Sequence, residues 1–336
     1  MRRLGRRIAA ARRQLSRRAG RRGCWLRAQV SGRRRLLARA GICVGLLLAA
    51  VPAAAFFDWH RVGTRALALG DNFVSVADDA SALYWNPAGL VRVPQHQALF
   101  TVERAPDLEG LQHLFAGTVL HTRFLSAGAG WSATRLEGTL REDLFAVSIS
   151  RHLVRRTLGA FIAAGATLKV ARVGVDGAEA AAFGGSAPSE THLTGDLGLL
   201  LAPIPNVTLG ASVRNLGRPR FDLVPGGSVT ALESEYEWGV TLRIRPEAQL
   251  HFTRSEWAGQ PTESRFGAEL HVGSSLDLRF GVSRQAVSTG LGVRWRQFRL
   301  EPSFRMQREL GLVTRVGLLV GFGALRGEAG DGFDAY

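Results

Sequence analysis

The sequence predicts an all-β fold: a transmembrane antiparallel β-barrel of about 14 strands with an N-terminal plug segment. Three observations predict it. An arginine-rich stretch followed by an apolar run and a patch of small residues marks the chain for export. From Ala98 to Phe322 the hydrophobic period is two, and no comparable stretch repeats at 3.6 residues. The links between the alternating runs are short and long by turns, as in an outer-membrane barrel.

The leader comes first. The chain has 336 residues and a formal net charge of +15. The whole excess lies in residues 1–39, which hold 15 Arg and no acid; beyond them 28 basic residues meet 28 acidic ones. Binding to nucleic acid requires a basic face on the folded domain to displace counterions from phosphates. No net excess remains to build one, so no nucleic-acid partner is expected. An apolar core runs from Ile42 to Val51, Pro52 breaks it, and Ala53-Ala54-Ala55 forms a small-residue cleavage site before Phe56. The core is about 10–12 residues long, too short to cross ~30 Å of hydrocarbon as a helix. Residues 1–55 therefore read as a signal peptide with a long Arg-rich leader. Cys24 and Cys43 both precede the cut. The mature chain is left without disulfide, thiol nucleophile or cysteine metal site.

The barrel is expected over 96–322. Alternating runs fall at 97–104, 112–120, 124–134, 142–151, 157–171, 192–201, 207–214, 235–245, 248–256, 264–272, 275–283, 288–296, 298–306 and 312–322. These lengths lie near the ~9–11 residues that a tilted membrane strand needs. Links such as Pro246-Glu247 and Gly273-Ser274 are short; 174–191 and 215–234 are the longest. Short turns belong on the periplasmic side, and an even strand number puts both termini there. A soluble sandwich also alternates, but each apolar face would then need a second sheet to cover it. No linker divides the chain into two such halves. Residues 323–336 are polar and Gly-rich, and read as a flexible tail.

Alternation assigns faces. Leu278, Phe280 and Val316 fall on the lipid side. Arg243, Arg265, Glu269, Asp277, Arg279, Arg294 and Arg315 fall on the lumen side, with Arg296, Arg299, Glu301 and Arg305. Mixed charge on an inner wall implies cross-strand ion pairs, and replacing Arg279 there is expected to be mild. Gly159, Ala163, Gly165, Gly210, Gly281, Gly292 and Gly317 would leave room for a plug.

The plug is expected in 56–95. Asp78-Asp79 is a paired carboxylate, and Asp79 suits the N-cap of a short helix over 80–85. Asn86-Pro87 ends that helix; Pro87 fixes one backbone angle and Gly89 permits a sharp turn toward the first strand. Gly63 and Gly70 suit close backbone contact with a wall. The run Gly63-Thr64-Arg65-Ala66-Leu67-Ala68-Leu69-Gly70, then Asp78-Asp79-Ala80-Ser81-Ala82-Leu83-Tyr84-Trp85-Asn86-Pro87-Ala88-Gly89-Leu90-Val91, resembles the N-terminal segment of the outer-membrane fatty-acid transporters (FadL type) and their PorV-like relatives. The resemblance implies a plug held in a barrel at the cell outer membrane. There a plug shift or a wall kink lets small hydrophobic compounds through, with Asp79, Asn86, Pro87, Ala88 and Gly89 at the gate. Its PorV-like side implies a docking scaffold for secreted proteins instead. The implied partners are outer-membrane lipid, the barrel-assembly machinery, and either a hydrophobic ligand or a secreted protein. The eight histidines are scattered without ligand spacing, and no nucleophile elbow or phosphate loop is present. No metal, no cofactor and no enzymatic activity are expected.

Overall fold

The computed structural model describes residues 61–106, 110–122, 124–137, 139–156, 159–175, 188–223, 229–258, 260–308 and 311–323. The expected signal peptide with its cut before Phe56, and the tail beyond Gly323, lie outside the described residues.

Fourteen antiparallel strands close into a barrel. They are β1 (His96–Arg104), β2 (Leu111–His121), β3 (Ser126–Leu136), β4 (Leu140–Arg155), β5 (Phe161–Val175), β6 (Ser189–Ile204) and β7 (Val207–Leu216), then β10 (Glu235–Arg245), β11 (Ala248–Trp257), β12 (Glu263–Val272), β13 (Leu276–Val282), β14 (Ala286–Trp295), β15 (Phe298–Gln307) and β16 (Gly311–Phe322). Each pairs with its neighbours in sequence, except that β7 pairs with β10. Between those two a small hairpin, β8 (Arg220–Phe221) with β9 (Thr230–Ala231), lies outside the barrel sheet and buries Phe221 with Leu144 of β4 and Ala171 and Val173 of β5. Closure is made by β1, where Phe100 faces Leu318 of β16 on one side and Ala116 of β2 on the other.

The alternating sequence produces the two faces directly. Successive side chains of a strand point to opposite sides. On β13, Leu278 and Phe280 are 37% and 50% exposed, whereas Arg279 between them is 3% exposed. Large apolar residues lie open on the outer face all round the barrel, among them Phe145, Leu193, Trp238, Phe266 and Leu300. Among the described residues no helix is long and apolar enough to cross a membrane.

Several strands run longer than the sequence periodicity indicates. β4 reaches Arg155 and β6 spans Ser189–Ile204. The extra residues, such as Arg155 and Glu190, depart from the alternation without breaking the hydrogen-bond ladder. Irregularities fall between β4 and β5 at His152/Val154, between β6 and β7 at two places, and between β10 and β11 at Arg243/Arg245. β3 pairs with β2 and β4 without interruption from Ser126 to Leu136.

Inside the barrel lies the segment before β1. It contains α1 (Thr64–Ala68), α2 (Ala82–Trp85) and a 3-10 helix, Pro87–Arg92. Nearly all of it is buried, and the main apolar cluster joins its Phe73, Leu83, Trp85 and Leu90 to Leu99, Phe115, Val119 and Leu319 of the wall. Arg61 reaches Glu235 and stacks on Trp257, at the end of the barrel carrying the long connections. Phe322 lies at the opposite end. His96, where β1 begins, pairs with Phe322 at that end.

Candidate functional site

The site is the contact between the inner segment and the wall. Its local structure differs from the sequence expectation at Asp79. The helix starts at Ala82, and Asp79 lies ahead of it in a turn, accepting from the Ser81 amide at 2.8 Å and the Ser81 hydroxyl at 2.5 Å. Its backbone carbonyl, not its side chain, takes the Ala82 amide. Burial raises the Asp79 carboxyl above its usual range, with Glu301 adding to the rise against the opposing Arg65. Asp78 is pushed up by burial as well, but Arg65 and Arg92 outweigh that and hold it below its usual range.

Asn86 ends α2 and opens the 3-10 helix, its Oδ1 accepting from the Ala88 amide. Pro87 at the first position of that helix donates nothing and needs no partner. The chain therefore makes two further turns before β1 rather than leaving straight for it. The amide Nδ2 of Asn86 donates to the Val74 carbonyl at 2.7 Å and the Leu199 carbonyl at 3.1 Å. One side chain thus ties two parts of the segment to strand β6. Ala88 is buried against Ala163 and Leu200, and its carbonyl accepts from Ser150 of β4. A Cβ on Gly89 would fall 1.9 Å from the Ala77 carbonyl oxygen, so this glycine lets the segment fold on itself.

The wall meets the segment with glycines. A Cβ on Gly281 would lie 2.1 Å from both Leu69 C and Gly70 N; on Gly210, 2.3 Å from the Val74 carbonyl; on Gly165, 2.4 Å from Pro87. Gly317 likewise makes way for Thr64. Gly198, unremarked in the sequence, would meet Asn86 at 2.1 Å. Gly159 instead occupies a turn beside Pro205, Gly292 makes room for the Asp277–Arg279 pair, and Gly63 meets Ser81 within the segment rather than the wall.

Charge completes the lock. Arg65 of α1 donates to Glu269, with Nη2 to Oε2 at 2.6 Å, and pairs with Asp78. Arg279 bonds the same Glu269 at 2.7 Å, Glu301 at 2.7 Å and Asp277 at 3.1 Å. Thr64 donates to Glu301 at 2.8 Å. Arg305 pairs with Asp71 at 2.5 Å, and Arg315 donates to the Gly63 carbonyl and to Glu103. Arg265 binds Glu237 and Glu263; Arg294 pairs with Asp277. Arg243 lies half-buried on the same inner face toward the short turns. Arg296 is corrected: it sits in the exposed turn after β14, its guanidinium 5.2 Å over the Trp295 ring. Arg279 is also more than a solvated wall residue, since it bridges three buried carboxylates. Glu269, His271 and Asp277 bring ligand atoms within 4.8 Å of one another. Arg65, Arg279 and Arg294 already hold those carboxylates, so the group is an ion-pair network.

Sequence reasoning missed Lys169, the chain's one lysine, which is buried and 2.7 Å from Asp196. It also missed Arg214, whose guanidinium covers Tyr84 at 4.5 Å and meets Glu235 at 2.5 Å. Both signals were present as charges at inner positions of otherwise apolar strands. A cavity of about 10 Å³, lined by Leu83, Tyr84, Phe115, Leu144 and Lys169 among others, is roughly the size of one water. Val62, Leu83 and Tyr84 of the inner segment form one side of it.

No known family profile and no curated protein sequence matches the chain. Solved structures do. The toluene transporter TbuX of Ralstonia pickettii superposes with a TM-score of 0.57 at 12% identity, covering 80% of this chain and all of its own. CymD, a monoaromatic hydrocarbon channel, gives 0.59 at 12% identity over 80% of this chain and 99% of its own. The chain has the FadL-type fold. A FadL homologue from Pseudomonas aeruginosa agrees, with a TM-score of 0.56 at 11% identity over 78% of this chain and 98% of its own. The FadL-type neighbours thus include transporters and channels that match along nearly their full length.

Proposed function

We propose that this FadL-type barrel passes small hydrophobic compounds across the outer membrane, and that residues 61–93 are its gate. The observation that carries the reading is a closed barrel that holds, buried inside it, a segment that is not part of its strand ladder. The fourteen-strand ladder satisfies its own backbone hydrogen bonds, so the segment can shift without opening the wall. The apolar outer belt supports insertion in lipid. The short-turn end with Phe322 is assigned to the periplasm, and assembly in the membrane falls to the barrel-assembly machinery. The hydrocarbon channels among its structural neighbours support a hydrophobic cargo.

The test is Asn86→Ala with Pro87→Ala. The doubly substituted barrel is expected to remain heat-modifiable on gels and to show raised single-channel conductance or altered uptake of a hydrophobic probe. Failure to assemble would make the segment structural and defeat the gate. The alternative is a docking scaffold for secreted proteins, which the resemblance of 63–91 to PorV-like barrels supports. Unchanged permeability together with loss of a co-purifying secreted protein would establish that reading instead.

A further inference from the structure

On the outer face of β3, β4 and β5, near the long connections, stands a charged cluster that transport does not use. Asp143 shares its face with Phe145 and Val147, which are 49% and 62% exposed, yet Asp143 itself is 4% exposed. It is covered by its partners. Arg135 donates to Oδ1 at 2.8 Å, Trp131 Nε1 to the same oxygen at 3.1 Å, and Arg141 to Oδ2 at 2.9 Å. Arg135 is pinned further by the Thr134 and Glu142 carbonyls. Arg172 lies beside Asp143 in register, and Arg104 lies in the row of Arg135 with Gln112 between them. At ~4.8 Å between strands, four guanidiniums and one carboxylate form an arc over five strands.

A carboxylate facing lipid is costly, and here it serves to hold two guanidiniums in fixed positions while leaving the group net positive. Directly along the same strands, toward mid-membrane, the outer face carries a groove of about 340 Å³, lined by Ala98, Phe100, Ala116, Thr118, Ala129 and Leu318 among others. Trp131 follows Ala129 on that face. From Ala129 to Arg135 is six residues, roughly 20 Å along the strand. On a strand tilted by about 45° this is about 14 Å of depth, close to half of a ~30 Å hydrocarbon layer.

We propose that this face binds one phosphorylated glycolipid of the outer leaflet, the lipid A type: its phosphates lie on Arg104, Arg135, Arg141 and Arg172, and one of its acyl chains fills the groove. The inference rests on the long connections facing outward, as assigned under Proposed function. Two observations point to the same occupant. The arc matches a headgroup carrying more than one phosphate, since guanidinium forks pair with phosphate oxygens. The groove lies below it by one leaflet's depth, which suits a chain attached to that headgroup.

The experiment is native mass spectrometry of the detergent-purified full barrel titrated with bisphosphorylated hexa-acyl lipid A, its monophosphoryl form, and phosphatidylglycerol. The bisphosphorylated lipid is expected to bind at least tenfold more tightly than phosphatidylglycerol, with the monophosphoryl form between. Arg141→Gln with Arg172→Gln is expected to weaken it about 25-fold, at roughly fivefold per guanidinium near an anionic surface. Arg254→Gln, on the outer face of β11, is expected to change nothing. Ala129→Phe keeps every charge but fills the groove, and is expected to weaken binding at least fivefold; it decides the matter should the arginine variant not fold. Equal affinity for lipid A and phosphatidylglycerol, or undiminished binding by either folded variant, overturns the proposal. Such a result in a barrel that still reaches the outer membrane overturns this inference alone. Absence from the outer-membrane fraction overturns the reading beneath it.

Discussion

Replacing Glu269 by Gln should release the inner segment without unfolding the barrel. Glu269 is 2% exposed and receives Arg65 from the segment and Arg279 from the wall. Removing one member of a buried ion pair costs about 3–5 kcal/mol, because the other charge stays buried. Here both arginines keep other partners: Arg65 retains Asp78, and Arg279 retains Glu301 and Asp277. The lower end, about 3 kcal/mol, is therefore expected, a factor of roughly 150 in the ratio of seated to released states. Hydrogen exchange resolves it, since local opening is reported residue by residue. Amides of 64–92 should exchange roughly 150-fold faster in the variant, while those of β12 and β13 keep their protection. Arg65→Met, alone and combined with Glu269→Gln, completes a cycle in which a coupling of at least 1 kcal/mol is expected. Unchanged exchange in the segment, or equal acceleration in the strands, would refute the reasoning.

Other outcomes follow from the same contacts. Phe280→Arg places a charge on the lipid face near mid-membrane and should cost about 2–4 kcal/mol in a lipid folding assay. Arg279→Ser should cost about as much, because it takes one buried guanidinium from Glu269, Glu301 and Asp277 at once, contrary to its expected tolerance from the sequence; a Phe280→Arg variant as stable as wild type would show the faces are reversed. Burial pushes the Asp71 carboxyl up, but Arg305 and Arg61 more than offset this and hold it well below the usual carboxylate range. A depressed carboxyl stabilises the seated segment above its unfolded pKa of about 3.9, and that contribution is lost as pH falls toward the folded value. Segment protection should hold from pH 7 to about 4 and decline below it; a decline beginning near pH 6 would assign the effect to other groups.

The barrel was legible because its rule is local. One residue in two faces lipid, so Leu278, Arg279 and Phe280 declare their sides without any tertiary knowledge. Strand ends were less legible, since beyond the apolar belt both faces meet polar surroundings and Arg155 or Glu190 look like loop residues. The inner segment was legible in outline through Asn86-Pro87-Ala88-Gly89. Its detail was not: whether Asp79 caps a helix or closes a turn depends on where Ala82 begins its first hydrogen bond. Gly198 could not be distinguished from any other strand glycine, because what it accommodates, Asn86, is 112 positions away. Arg65 carried no local sign of its role, because its partner Glu269 is 204 residues distant.

The central claim is that the inner segment must move for cargo to pass. Beyond Cys43 the sequence contains no cysteine, and Ser75 Oγ lies 2.9 Å from Thr241 Oγ1 of β10. Ser75→Cys with Thr241→Cys therefore allows the segment to be tied to the wall by oxidation. The measurement is flux of a hydrophobic probe into liposomes carrying this variant, oxidised and then reduced. The account predicts background flux with the crosslink complete and recovery to wild-type flux on reduction. Equal flux in the two states, with the crosslink confirmed by mass, would contradict it.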